Sequence, residues 1–248
     1  VTRVAIAVAL AAALAAVGRW LRWLTTGGAV AAAVIGASVF WGAGAAGALL
    51  LGVFFVSGSL LTATRDREPR TARQVLANGA CAAAGALLIP LTPLPGWLVL
   101  AGAIAAAQAD TWATEIGARA SAPPRLVTTF SAVPAGTSGA VTLLGTAGGV
   151  LGAGVAAGVT NLTGEAHAAA SAVFAGGVVG MLVDSLAGAT VQAKYRCPAC
   201  GIMGERPRDA CGVQTVREQG VWWADNDVVN LLATFVGACG ALGWHFLT

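Results

Sequence analysis

The feature that most constrains this chain is the apolar stretch 28–62, 35 residues without one Asp, Glu, Lys, Arg or His. As a single helix it would measure about 52 Å at 1.5 Å per residue, too long for one crossing of roughly 30 Å of hydrocarbon. Gly42-Ala43-Gly44 offers a place to break it. The break gives segments 28–41 and 43–62, with a re-entrant or half-length second helix as the alternative. Six further apolar stretches, 4–18, 75–92, 96–118, 138–160, 167–193 and 227–247, are candidates for the same role. The first is read as a span rather than a cleavable signal, because no small-residue cleavage site leads into a soluble domain.

Composition agrees. Only 10% of residues are charged and the mean hydropathy is +0.77, whereas a soluble domain carries about 25% charged residues. A soluble enzyme, a disordered chain and a coiled coil are excluded. The 34 glycines suit helices that must approach closely where lipid supplies no hydrophobic drive. The expected fold class is all-α: a polytopic integral membrane protein of about eight transmembrane helices. It is expected to form a single membrane domain over 1–248, with the loop 194–225 inserted in it. A net charge of +3 is too small to suggest a nucleic-acid partner.

Eight spans define alternating loops. One set holds Arg19, Arg22, Arg65, Arg67, Arg70, Arg73, Arg119, Arg125, Lys194, Arg196, Arg206, Arg208 and Arg217, which is 13 of the 14 Lys and Arg; the other holds Arg3 alone. Loops rich in Lys and Arg stay in the cytoplasm. The cytoplasmic membrane of a prokaryote is the expected location, with both termini facing away from the cytoplasm.

Ionisable residues inside a span are costly and are functional by default. Three segments carry them: Gln108-Ala-Asp110-Thr111-Trp-Ala-Thr114-Glu115, Asp184-Ser185, and Asp225-Asn226-Asp227-Val-Val-Asn230. All lie in the cytoplasmic halves or mouths of their helices. Gly180, Asp184 and Gly188 recur every fourth residue, so another backbone can come close to the Asp184 carboxylate. Converging carboxylates repel unless Arg side chains pair with them or a hard cation joins them. Mg²⁺ takes a few carboxylates together with phosphate oxygens and water.

Two cytoplasmic segments complement the carboxylates. The first runs from Arg65 to Gly79, in which Arg70, Gln74 and Asn78 form a polar stripe entering a helix; guanidinium forks suit phosphate oxygens. The second is Pro134-Ala-Gly136-Thr137-Ser138-Gly139, expected at the start of the sixth helix. There free N–H groups and the positive dipole end would make an anion site, or an ordinary helix cap. Metal-binding carboxylates beside phosphate-binding groups form the inventory for phosphoryl or nucleotidyl transfer. A lipid-facing wall makes one substrate a lipid.

Several segments together resemble the membrane-bound phytyl-phosphate kinase family, which includes a plant tocopherol-pathway enzyme and many prokaryotic members. They are Arg73–Gly79, Ala109–Gly117, Leu126–Phe130, Val133–Val141 with Gly145-Thr146, Asp184–Thr190 and Asn226–Asn230, in the family's order. The resemblance implies transfer of a phosphoryl group from a nucleoside triphosphate, CTP among the candidates, to a prenyl monophosphate such as phytyl or geranylgeranyl phosphate. It points to Asp110, Glu115, Thr137, Asp184, Asn226, Asp227 and Asn230. At the Asp225 position plant members carry Asn.

The combined expectation is a magnesium-dependent lipid kinase whose site faces the cytoplasm. Asp110, Asp184 and Asp227 would hold Mg²⁺, with Glu115 assisting. Arg65, Arg70, Gln74, Asn78, Gly136, Thr137, Ser138, Gly139, Lys194, Asn226 and Asn230 would hold nucleotide or phosphate. A lipid cytidylyltransferase uses the same parts with diphosphate as leaving group. A secondary transporter is the rival from another class, but no internal repeat is visible and the polar groups cluster on one side. Cys197-Pro-Ala-Cys200 followed by Cys211 could hold a structural Zn²⁺, with Asp209, Glu205 or water as fourth ligand, or could form a disulfide or stay as free thiols. Plant members resembling this chain lack that insert, so it is expected to be accessory to the chemistry.

Overall fold

The computed structural model describes residues 2–64, 68–92, 95–163, 170–201, 203–205, 208 and 211–247. Among them are seven helices: α1 (Thr2–Trp20), α2 (Thr26–Ala63), α3 (Ala72–Leu91), α4 (Gly96–Gly117), α5 (Leu143–Leu162), α6 (Ala170–Thr190) and α7 (Asn226–Leu247). Five of them, α2, α3, α5, α6 and α7, are long and apolar enough to cross a membrane. The protein is a mostly helical integral membrane protein.

Eight separate helices are not seen among the described residues, and α2 is the reason: 28–41 and 43–62 belong to one 38-residue element. That element is nevertheless broken at Gly44, whose backbone (φ 64°, ψ −152°) is not helical and is open essentially to glycine alone. The chain folds back there. Trp23, just before α2, stacks edge-on against Phe55 near its end, with ring centroids 5.9 Å apart. Leu24 pairs with Arg70 across the same element, and the Thr25 N–H donates to the Arg70 carbonyl at 3.0 Å. A straight helix would hold these groups tens of ångströms apart, so both ends of α2 lie at one end of the bundle.

The described residues of the linkers 21–25, 64–71, 118–142 and 191–225 gather at that end. Arg119 Nη2 donates to Thr64 Oγ1 at 2.8 Å, Arg73 pairs with Asp225 at 2.6 Å, and Lys194 Nζ donates to the Ser138 carbonyl at 3.0 Å. Helices that start there are capped by side chains, which satisfy amide groups the first turn would otherwise leave bare. Thr25 caps α2, Thr71 and Gln74 form a capping box on α3, Thr142 caps α5 and Asp225 caps α7.

α4 is the axis of the bundle, packed against α2, α3, α5, α6 and α7. Leu98 and every residue from Leu100 to Ala109 are buried. Small residues set the spacing. A Cβ on Gly102 would lie 2.6 Å from the Gly237 carbonyl, and one on Gly180 would lie 2.8 Å from the Ala233 carbonyl while striking Ala106. α4, α6 and α7 therefore meet backbone to backbone around Ala106. Large apolar side chains such as Val34, Leu151 and Phe235 point outward, as a lipid-facing rim requires.

Two small sheets depart from the all-α expectation. β1 (Arg125–Leu126) pairs antiparallel with β2 (Ala140–Val141). In the loop 191–225, β4 (Met203–Gly204), β3 (Lys194–Arg196) and β5 (Val216–Gln219) form a three-stranded antiparallel sheet with β3 in the centre.

Candidate functional site

The site grows out of the small-residue contact between α4 and α6. These helices run the same way, and Ala106 abuts Gly180. One turn further toward the charged end, Asp110 and Asp184 therefore face each other, close enough for their carboxyl groups to interact. Oδ2 of Asp184 is buried and has no hydrogen-bond partner among the described residues. α7 runs the opposite way with Ala233 against Gly180, so Asn230, one turn nearer the charged end, comes to the same level. Gly188, one turn beyond Asp184, lies against the backbone of Gly139; a Cβ there would be 2.8 Å from the Gly139 nitrogen. The expected spacing of Gly180, Asp184 and Gly188 thus does admit foreign backbone on both sides of the carboxylate.

The remaining carboxylates have partners. Glu115 is 3% exposed, has its Oε1 3.3 Å from Thr62 Oγ1, and lies within electrostatic reach of Asp110. Arg70 reaches Ser59 Oγ at 3.1 Å through Nη1 and Thr62 Oγ1 at 3.4 Å through Nη2. Asp225 and Asp227 both face Arg73, at 2.6 and 3.4 Å. For these two the expected alternative of pairing with an arginine is what the structure shows, the partner being Arg73 in the first turn of α3. Asn226 is exposed between them.

Beside Thr111, the neighbour of Asp110, a cavity of about 150 Å³ opens between α1, α2, α3 and α4. Its walls include Leu14, Ile35 and Phe54, and its polar end is Arg70, Gln74, Asn78 and Thr111. Arg70 and Thr111 meet over Gly58, where a Cβ would sit 3.3 Å from Arg70 Nη2 and 3.2 Å from Thr111 Cγ2. Gln74 is committed to its helix: its side-chain oxygen takes the Thr71 N–H at 2.9 Å. The Asn78 amide donates to the Gln74 carbonyl at 2.9 Å.

The turn Gly136–Gly139 is not at a helix start, which corrects the expected sixth span. α5 begins at Leu143, and its cap is Thr142, whose hydroxyl takes the Gly145 N–H at 2.9 Å. Pairing of β2 with β1 holds 140–141 extended and keeps the turn out of the helix. Gly136 and Gly139 have positive φ, +86° and +76°. Thr137 Oγ1 donates back to the Pro134 carbonyl at 2.7 Å, and Ser138 Oγ contacts Glu205. Lys194 is 7% exposed; burial pushes its ammonium pKa down, and the Glu205 charge partly opposes this.

Arg65 and Asp209 lie outside the described residues. Ser59 and Thr62 take part in this arrangement without having been singled out in the sequence, and Glu205, expected only as a possible zinc ligand, contacts Ser138. The hydroxyls are weak signals, because in a helix they can satisfy themselves on a preceding carbonyl, as Thr62 does on Gly58 at 2.8 Å.

A family model described as integral membrane protein DUF92 matches residues 9–238. The chain is 31% identical over 229 residues to an uncharacterized membrane protein of Methanocaldococcus jannaschii, covering 87% of this chain and 83% of the relative. It is also 31% identical over 229 residues to the protein PGR of Arabidopsis thaliana, covering 75% and 77%. With an uncharacterized membrane protein of Synechocystis it shares 29% over 234 residues, covering 85% and 78%. No solved structure matches it.

Proposed function

The chain belongs to the DUF92 family of integral membrane proteins, and from that premise we propose that it is a lipid kinase that transfers a phosphoryl group from a nucleoside triphosphate to a prenyl monophosphate. The observation that carries this reading is one juxtaposition. An apolar cavity ends in Arg70, Asn78 and Thr111, and the next residue along α4 is Asp110, facing Asp184. A prenyl chain fits the apolar walls, and its phosphate meets the guanidinium.

The residues suit a magnesium ion: two facing carboxyl groups, one with a buried oxygen lacking a hydrogen-bond partner among the described residues, form a hard oxygen donor set. Asp110 and Asp184 would hold the ion. Asp227, drawn toward Arg73, is assigned to the rim. When bound, Mg²⁺ neutralises charge on the phosphate oxygens. Arg70 orients the acceptor phosphate, and Thr62 and Ser59 hold Arg70 in place. The attacking prenyl phosphate oxygen is already anionic at neutral pH, so no strong general base is needed. It forms a bond to the γ-phosphorus as the bond to the bridging oxygen breaks, and the nucleoside diphosphate departs.

We also place the charged end in the cytoplasm, on the Lys and Arg excess of its loops. Counting each arm of α2, together with α1 and α4, as a crossing gives eight.

The test is an assay of purified protein with prenyl monophosphates of several chain lengths against each of the four common triphosphates. The expected products are the prenyl diphosphate and a nucleoside diphosphate. Release of pyrophosphate would instead mark a cytidylyltransferase or a related nucleotidyl transfer. No Mg²⁺-dependent transfer with any pair would refute the reading.

A further inference from the structure

Away from the carboxylates, the loop 191–225 gathers a second set of ligating groups. The sulfurs of Cys197, Cys200 and Cys211 lie within 4.8 Å of one another, with Cys197 and Cys211 3.5 Å apart. A disulfide requires about 2.05 Å, and none of the three is in one. Cys197 is buried, while the other two are exposed.

The backbone around them is shaped to present sulfur. Cys197-Pro-Ala-Cys200-Gly201 closes as a tight turn: the Gly201 N–H donates to the Cys197 carbonyl at 2.8 Å. Gly201 takes a positive φ of +72°. The Cys200 backbone N–H, and to a smaller extent that of Ala199, points at the Cys197 sulfur. Amide groups aimed at a sulfur favour thiolate over thiol. Cys211-Gly212 repeats the pattern, with Gly212 at φ +78°. Two such turns enter from the two sides of β4, so closing them on one ion staples the loop. Thiolates are soft donors that select zinc over magnesium or calcium, and three of them leave a fourth tetrahedral position for a carboxylate or water.

The same loop touches the site. β3 leads directly into Cys197 and carries Lys194, which grips the Ser138 carbonyl. Glu205 lies between the two cysteine turns and contacts the Ser138 hydroxyl. Ser138 belongs to the turn that rests on Gly188, one helical turn from Asp184.

We propose that Cys197, Cys200 and Cys211 bind one zinc ion, and that this ion fixes the loop so that Lys194 and Glu205 hold the 136–139 turn against the end of α6. The test uses the full chain purified in detergent without chelator. Mass spectrometry of metal content should find one zinc per chain. A mercurial that titrates thiols should release that zinc. Cobalt in its place should show thiolate-to-metal charge-transfer bands of a tetrahedral site. Cys197→Ser with Cys200→Ser should lose the metal, whereas Cys81→Ser with Cys239→Ser should keep it. Hydrogen exchange across 134–140 should quicken when zinc is removed.

Wild-type protein without zinc, zinc retained in the Cys197→Ser/Cys200→Ser variant, or a Cys197–Cys211 disulfide in freshly purified protein would overturn the site. Unchanged exchange across 134–140 after zinc release would overturn the coupling to the turn. The mercurial titration uses wild-type protein, so it decides the matter even if the double variant fails to fold. No substrate is involved, so these outcomes are independent of phosphoryl transfer.

Discussion

Arg73 and Asp225, 152 residues apart in the chain, join at 2.6 Å, and this pair ties the first turn of α3 to the cap of α7. Asp225 serves twice, because its other carboxylate oxygen accepts the Val228 N–H at 3.1 Å. The Arg73 and Asp225 side chains are 68% and 39% exposed, so solvent screens the ion pair and leaves it a minor contribution to stability. Arg73→Ala should therefore change the unfolding midpoint little. Asp225→Ala should cost about 1 kcal/mol more, for the lost cap, while Asp225→Asn retains the cap and loses the charge. A double-mutant cycle read by thermal unfolding in detergent checks this. A strong coupling between the two substitutions would show that the pair is shielded from solvent.

Gly44 and Gly52 both lie in α2 but should respond in opposite ways to alanine. Gly44 has φ 64° and ψ −152°, a region that costs a side chain on the order of 1–3 kcal/mol. Gly52 is helical, and a methyl group added there would meet nothing within 4 Å, so Gly52→Ala should be neutral or stabilising by up to about 1 kcal/mol. Gly44→Ala should lower the unfolding midpoint and loosen the contact between Trp23 and Phe55, which Trp23 fluorescence in a background lacking the other tryptophans can follow. Equal effects at the two positions would mean that the fold-back does not depend on the Gly44 backbone.

That fold-back was legible in the sequence, since a 35-residue apolar stretch exceeds one membrane thickness and the Gly-Ala-Gly at 42–44 marks the weak point. The facing of Asp110 and Asp184 was also foreshadowed, because charged groups in apolar helices must turn inward and glycine at 180 and 188 leaves room beside them. The true start of α5 was not legible. Thr137, Ser138 and Thr142 are all acceptable caps, and the choice falls to Thr142 only because β1, fifteen residues earlier, pairs with β2. The role of Glu205 was equally hidden, since its contact with Ser138 depends on how a polar loop folds back over α6.

Orientation follows from which loops share an end. In a chain with its five cysteines replaced by serine, Ser121→Cys and Thr215→Cys should react with an impermeant maleimide only from the cytoplasmic side. Thr92→Cys and Thr163→Cys should react only from the opposite side. Labelling of Ser121→Cys and Thr163→Cys from one side would break the pairing of linkers, because α5 separates them.

Asp110 and Asp184 decide the mechanism. They come from different helices but face each other, and on the proposed reading they share one divalent cation. Asp110→Asn and Asp184→Asn each keep shape while removing charge. Either change should lower phosphoryl transfer by on the order of a hundredfold or more, since preorganised charge is usually the largest catalytic contribution. The double variant should be little worse than either single one, because groups acting as a unit are strongly non-additive. Each single variant should also raise the Mg²⁺ concentration needed for half-maximal rate. Thermal stability should hold or rise, because one of two mutually repelling intramembrane charges has been removed. If the two carboxyl groups serve only to join α4 to α6, the pattern reverses, with folding lost and turnover per folded molecule preserved. A stable Asp110→Asn protein with full turnover at low Mg²⁺ would exclude the shared cation.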